Sequence, residues 1–346
     1  MKKINVSVLS ILSKLICLSH LSTRYCYLAF FLNFCCPLCV QIRDQLKSEV
    51  HGSDISPMNQ LLLTLRFYAT GSFQLVVGDT FGVHKSTVCR VVHRVTAAVA
   101  GLRPTYVRFP ATEQERHSVM NGFYSVSGLP GVIGAIDCTH VPIQSPGGDE
   151  AEIYRNRKGY FSVNVQLICD QTAYVSDIVC RWPGSVHDST IFDNSHLRVQ
   201  LEGSAHDGYL IGDGGYPCRR YLLTPVVNPT TNAEKAYNAA HVSARNCIER
   251  TNGIIKRRFP ALKYGLRVTV DHALAVIVAA VVMHNVAVMM GDDEPPEDEL
   301  LSRYIQRIRY QGIQVDFDPV EVGPPDSAGH HGLSGMRQAV INSHFN

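Results

Sequence analysis

The sequence predicts an α/β domain over residues 131–290, with a mixed sheet, preceded by a small all-helical unit over residues 56–103. Two patterns and the composition predict this. Short apolar runs bounded by Gly, Pro or Asp recur between residues 131 and 215, as strands require. Runs with helical periodicity lie on either side of them. The chain of 346 residues is 45% hydrophobic and 18% charged, enough apolar content for a sizeable core.

The first 45 residues stand apart as an apolar leader. Residues 25–42 are 18 uncharged positions between Arg24 and Arg43, just long enough for a short membrane span. Lys2 and Lys3 resemble the start of a signal peptide. Lys14, His20 and Arg24 interrupt the longer run, and nothing downstream looks extracellular. The competing readings are non-native sequence from a wrong gene boundary, or a buried or disordered leader; a membrane role is the weaker reading. Five of the 11 cysteines fall in the first 39 residues, and the others are scattered in apolar runs. That pattern suits reduced, buried thiols in an intracellular protein. Cys36 and Cys39 form one CxxC without a second pair to complete a zinc site.

Ser56 as cap and Pro57 at the first helical position open a helix that Gly71 ends. A short helix, a turn at Gly82 and a longer helix from about Lys85 follow. In the last of these, Val88, Val91, Val92 and Val95 make the apolar stripe. The opposite face carries Ser86, Thr87, Arg90, His93 and Arg94, with Lys85 at its N-terminal end. This arrangement reads as a helix-turn-helix whose second helix meets DNA through Lys85, Thr87, Arg90 and Arg94. The alternative is a three-helix packing unit with a solvated basic face. Residues 104–130, marked by Pro104, Pro110, Gly122 and Pro130, read as a connector.

In the α/β domain, "GVIGAIDCTHV", "YFSVNVQLICD" and "AYVSDIVCRWPG" read as three strands, the last two antiparallel. "SVHDSTIFDNSHLRVQLEG" reads as a helix, "GYLIGDGGYP" as a fourth strand, and "NAEKAYNAAHVSARNCIERTNGIIKRRFPAL" as mostly helix. "DHALAVIVAAVVMHNVAVMM" is apolar all round and is expected to pack on the sheet. Three strands, a helix, a strand and helices is the order of a ribonuclease-H-like fold. Residues 291–346 read as a tail, with one amphipathic helix near its start and a Pro- and Gly-rich, disordered end.

Net charge is only +2, so no global field draws the chain to nucleic acid. Charge is locally uneven, however. Thr80 to Thr112 holds five Lys or Arg and no acid, and Arg245 to Arg267 holds seven against the single Glu249. Such patches are what phosphate contact requires.

Three acids stand out: Asp137 and Asp213 after apolar strands, and Glu249 in the basic helix. Carboxylates beside buried strands are costly to desolvate unless cations or donors satisfy them. Brought together, they would make an oxygen-rich site for Mg²⁺ or Mn²⁺. Asp137 is expected at a strand end facing a cleft. Asp213 lies among Gly212, Gly214 and Gly215, which let backbone and phosphate approach closely. Glu249 shares a helical face with Arg245, Asn252, Gly253 and Lys256. Asp188 reads either as a helix cap or as a fourth carboxylate. His140 and His187 read as structural and Trp182 as packing. Arg155, Arg157 and Lys158 make a loop that is either solvated or phosphate-binding. Arg245, Lys256, Arg257 and Arg258 flank the acid and are expected to track a DNA backbone.

From Asp137 to about Asn285, "GAIDCTHVPI", "YRNRKGYFSVNVQLICD", "WPGSVHDSTIF", "LIGDGGYP", "IERTNGIIKRRF" and "VVMHNVAV" occur in order. They resemble the PIF/Harbinger class of DDE transposases and the nucleases derived from them, with coverage of about residues 56–290. The resemblance implies that Asp137, Asp213 and Glu249, with Asp188, bind divalent metal for two-metal hydrolysis of phosphodiester bonds in DNA. It also implies a nuclear location and a partner with a Myb/SANT-like domain, and it allows a homo-oligomer. Gly214 stands where the family often has Ser, and Asn252 where it usually has an aromatic residue. A DNA endonuclease with residual strand transfer is the leading reading. A catalytically idle DNA-binding scaffold and a nuclease acting on RNA are its rivals.

Overall fold

The computed structural model describes residues 37–46, 55–203, 208–295 and 335–345. Of the leader, only 37–46 falls in that range. It is a helical turn running into the 3-10 turn Arg43–Leu46, and Leu38, Ile42 and Leu46 are buried in the main core. Most of the membrane-length run lies outside the described residues.

The helical unit forms for the reasons legible in its caps. Helix α1 (Pro57–Thr70) starts where Ser56 Oγ accepts the Asn59 N–H at 3.3 Å, and it ends at Gly71 with φ 60°. Helix α2 (Gln74–Phe81) is followed by Gly82 in the left-handed region and then by α3 (Lys85–Ala100). A Cβ at Gly78 would lie 2.5 Å from the Val83 carbonyl oxygen, so only glycine lets the α2–α3 corner close. Val88, Val91, Val92 and Val95 are buried as the periodicity predicts. Tyr68 and Thr96 share a buried hydrogen bond of 3.0 Å between α1 and α3.

The segment read as a connector contains two helices, α4 (Arg103–Tyr106) and α5 (Glu113–Ser127). Thr112 and Glu115 form a reciprocal capping box that starts α5. Helix α5 packs on the first strand and seats Phe123 in the core.

The sheet holds β1 (Val132–Pro142), β2 (Ser162–Cys169), β3 (Val175–Pro183), β4 (Tyr209–Ile211) and β5 (Leu222–Leu223). Its order is β3-β2-β1-β4-β5, with the first three strands antiparallel and β1, β4 and β5 parallel. The fifth strand is too short to show in the sequence pattern. The two faces of β1 line two cores, and a register shift between Val132 and Gly134 breaks the strict alternation. Val132 and Ala135 face the large helical core, while Ile133 and Ile136 join Ile168, Phe192, Leu197 and Leu210 on the other face.

The helix expected over residues 185–203 is two, α6 (Asp188–Asp193) and α7 (His196–Gly203), because the Ser195 hydroxyl accepts the Arg198 N–H and restarts the chain. Helix α8 (Asn232–Arg258) opens with a Thr231–Glu234 capping box and crosses β1. A short helix, α9 (Ala261–Tyr264), leads to α10 (Val270–Met289). By length and composition α10 could cross a membrane, yet most of it is buried, packed against α3 and β3. Asn285 of α10 hydrogen-bonds both backbone groups of Val175 on edge strand β3 and also the Tyr106 carbonyl. It thereby ties α4 to the sheet.

The tail departs from expectation at its end. Gly335–His344 is a helix, α11, rather than disordered chain. Val340 and Ile341 are buried against α8, and Arg337 donates to the carbonyls of Thr224 and Pro225. These tertiary contacts, apolar and hydrogen-bonded, outweigh the local Gly-rich composition.

Candidate active site

Three of the four predicted acids converge. Asp137 is the sixth residue of the 11-residue β1, mid-strand rather than at a strand end as the sequence suggested. The effect is the same, because β4 pairs with β1 only from Val132 to Ala135 and leaves the following residues open on that side. Asp213 comes two residues after β4, so the parallel pairing brings it alongside. Asp188 is the first residue of α6, where Asn164 of β2 donates to its Oδ1 at 2.9 Å and to the Val186 carbonyl at 2.9 Å.

Asp137 feels the charge of both Asp213 and Asp188, and Asp213 feels that of Asp188. Burial pushes the Asp137 carboxyl up to about 7, Arg245 pulls it back down, and Asp213 and Asp188 push it further up. Burial also raises Asp213, against the Gly215 N–H and the Arg245 guanidinium; the Asp188 charge adds to the rise and Arg157 opposes it. Arg245 thus sits as the shared counter-ion. Glu249 joins the group through that arginine, in an ion pair one helical turn along α8. It remains partly exposed, with 41% of its side chain accessible. Among the described residues, no group of three or more His, Cys, Asp or Glu side chains is gathered tightly enough to cage a metal ion.

The glycines around Asp213 have separate reasons. A Cβ at Gly212 would lie 2.9 Å from the Tyr216 ring and 3.1 Å from Ile136, so that position is closed to side chains. Gly215 donates its N–H to Asp213 Oδ1 at 3.0 Å. At Gly214 a Cβ would meet nothing within 4 Å. Packing therefore leaves room there for the serine common in the resembling family.

Other expected site residues divide into outward and inward groups. Lys85 and Arg90 lie exposed on α3 and Thr87 is half-buried, whereas Arg94 turns inward to Gln60 at 3.4 Å. On α8 the expected row of DNA-tracking cations does not form as such. Lys256 Nζ donates to Thr139 Oγ1 at 2.6 Å and to the His140 carbonyl at 3.0 Å, pinning the helix to β1. Burial lowers its pKa to about 8, opposed by the Asp137 charge. Arg258 is only 2% exposed and is paired with Asp292 at 2.7 Å, so it is a core strut and no DNA contact. Arg257 is half-buried and folds back over Gly253. These departures share one cause. Helical periodicity identifies a face, but whether that face meets solvent depends on β1 and on the segment after α10.

His140 shares a hydrogen bond of 3.0 Å with Ser162, and burial lowers its pKa to about 4, as a structural histidine should be. In the basic loop, Arg155 is committed to Glu152 and the Gly159 carbonyl, whereas Arg157 is exposed and its charge reaches Asp213. Sequence reasoning missed Asn164 as the group that orients Asp188. Its alternation on β2 placed it on a face, without any sign of what it would meet.

Residues 136–285 match the family model described as DDE superfamily endonuclease. The chain is 35% identical over 260 residues to "Putative nuclease HARBI1" of Homo sapiens, covering 71% of this chain and 74% of that protein. It is 29% identical over 332 residues to the protein of the same name from Xenopus laevis, covering 94% and 90%. To "Protein ALP1-like" of Arabidopsis thaliana it is 25% identical over 273 residues, covering 74% and 66%. No solved structure matches the chain. With the motifs in order and these relatives spanning most of its length, the chain belongs to the DDE superfamily of endonucleases, among the Harbinger transposase-derived nucleases.

Proposed function

We propose that the chain is a metal-dependent DNA endonuclease on a ribonuclease-H-like fold. It hydrolyses phosphodiester bonds with Asp137, Asp213 and Glu249 as catalytic acids and Asp188 as a fourth metal-site carboxylate. The approach of Asp137, Asp188 and Asp213 from three separate elements, with Arg245 beside Asp137 and Asp213, carries this reading. The donor set fits the group. All its members are carboxylate oxygens, the hard ligands that Mg²⁺ and Mn²⁺ prefer. An ionised carboxylate has about four lone-pair sites, so the hydrogen bonds to Asp188 and Asp213 leave capacity for a cation. Held by Asp137, Asp188, Asp213 and Glu249, a pair of such cations would supply activation of the attacking water and stabilisation of the leaving 3′ oxygen.

The chain's own residues do the rest. Asn164 and the Gly215 N–H hold Asp188 and Asp213 in fixed rotamers. Arg245 keeps Glu249 at the cluster and offsets the mutual repulsion of the aspartates. The open space at Gly214 lets a phosphate come close.

A supercoiled plasmid incubated with the protein and Mg²⁺ or Mn²⁺ is expected to yield nicked circles, and a chelator to prevent this. A catalytically idle DNA-binding scaffold is the second reading. It is favoured by Arg245 standing as the internal counter-ion of an acid group that is not drawn into a tight cage. Absence of nicking with either cation would select it.

The pH dependence follows from Asp137, whose carboxyl is raised from 3.8 to about 7. The folded protein therefore holds this proton more tightly than the unfolded chain does. From this group, metal-free stability is expected to fall as pH rises from about 4 to about 7. Cation binding needs the ionised form, so it should release protons near neutrality. Calorimetric titration of Mn²⁺ at pH 6.5, in two buffers of different ionisation enthalpy, measures that release. Identical heats in both buffers would contradict it.

In this reading α2, the Gly82 turn and α3 form a helix-turn-helix that contacts DNA through Lys85, Thr87 and Arg90. Arg90→Ala should weaken binding to all sequences alike and reduce the slope of log affinity against log salt by about 1. Fluorescence anisotropy across a salt series checks this, and an unchanged slope takes Arg90 out of the interface. The proposal includes a nuclear location and a Myb/SANT-like partner, both drawn from the family resemblance.

A further inference from the structure

We infer that Asn252 is a positioning residue of the cation site: it holds Asp137 and offers its own amide oxygen to the bound cation, directly or through one water. This role rests on the metal-site reading above. On α8, Asn252 lies three residues beyond Glu249 and seven beyond Arg245, which places all three on one helical face. Its Nδ2 donates to Asp137 Oδ2 at 3.2 Å, across 115 positions of sequence.

The other end of the amide is the informative one. Asn252 Oδ1 is buried and accepts no hydrogen bond among the described residues. With Asp137 ionised, the form that takes up a cation, rotating the amide does not relieve this, because it would set an oxygen against the carboxylate and lose the one bond formed. Three other polar side chains on this stretch of α8 make their hydrogen bonds elsewhere. The Thr251 hydroxyl donates to the Cys247 carbonyl at 2.7 Å, Arg245 pairs with Glu249, and Lys256 bonds Thr139 and His140. A buried acceptor left alone beside a carboxylate group calls for a partner that arrives with function, and a hard cation or its water is that partner. The aromatic residue usual here in the resembling family could neither donate to Asp137 nor supply an oxygen.

The test is calorimetric titration of Mn²⁺ alone into metal-free protein, without DNA, for wild type, Asp213→Asn, Asn252→Leu and Asn252→Gln. Circular dichroism and melting of each metal-free variant confirm folding. Asn252→Ala replaces the Leu variant if Leu proves too bulky. The expected result is Mn²⁺ affinity about 10- to 100-fold weaker in Asn252→Leu, as for loss of a group that orients a ligand, with recovery in Asn252→Gln, which keeps the amide. Leu-variant affinity equal to wild type overturns the role, as does a weakened Leu variant that Gln fails to rescue. The site itself is judged separately: wild type that takes up no Mn²⁺, or Asp213→Asn that binds as well as wild type, overturns the metal-site reading.

Discussion

Asp213→Asn is expected to slow cation-dependent plasmid nicking about a thousandfold and to leave the fold intact. The substitution is nearly isosteric, and an amide oxygen can still accept the Gly215 N–H that now binds Asp213 Oδ1. What it removes is the charge. A bound metal contributes several kcal/mol of transition-state stabilisation, and each 1.36 kcal/mol is tenfold in rate, hence the order of magnitude. Folding should not suffer. Burial already raises the Asp213 pKa, so its ionised form is penalised in the native state, and a neutral amide escapes that penalty. Metal-free Tm at neutral pH should therefore be unchanged or slightly higher. The measurement is the initial rate of supercoiled-plasmid loss with Mn²⁺ for both proteins. Equal rates would take Asp213 out of the chemistry.

The sequence was most legible where local chemistry decides the outcome. Ser56, Pro57 and Gly71 bound α1 as their types demand, and the valine stripe of α3 is the buried face. The wheel of α8 that groups Arg245, Glu249, Asn252 and Lys256 corresponds to real neighbours, since Arg245 meets Glu249 and both Asn252 and Lys256 reach β1. Helix α5 was also within reach, because Thr112-x-x-Glu115 is a capping-box signature, but the prolines and glycines around it drew the reading toward a connector. What local pattern could not supply was register and burial. That Asp137 lies mid-strand follows from β2 pairing with β1 as far as Pro142, and that it is open on one side from β4 ending its pairing at Ala135, both long-range facts. Helix α11 is held by contacts more than a hundred positions away, and nothing in its own composition announces them.

Arg258→Ala is expected to destabilise the protein by about 3–5 kcal/mol, the usual consequence of deleting one partner of a buried ion pair. The Arg258 side chain is 3% exposed and that of Asp292 is 10% exposed, with Nη1 to Oδ2 at 2.7 Å and Nη2 donating to the Asp293 carbonyl at 3.3 Å. Truncation leaves the carboxylate and that carbonyl without the guanidinium. At roughly 2–4 °C per kcal/mol for a domain of this class, Tm should fall by about 10 °C. The loss should also depend on pH, in a direction that can be worked out. Burial raises Asp292 above its ordinary 3.8, and Arg258 is the leading influence holding it down. Without Arg258 its folded pKa climbs further, and an unpaired buried carboxylate is penalised wherever it ionises. The Tm deficit should therefore be larger at pH 8 than at pH 5. Replacing both partners by apolar residues, Arg258→Met with Asp292→Leu, should recover most of the loss. The salt slope of DNA binding should not move in the folded variant, because this guanidinium never reaches the surface, whereas Arg90→Ala should change that slope and barely affect Tm. A mild Tm change in Arg258→Ala together with a lowered salt slope would return Arg258 to the DNA-facing row that helical periodicity alone assigned it.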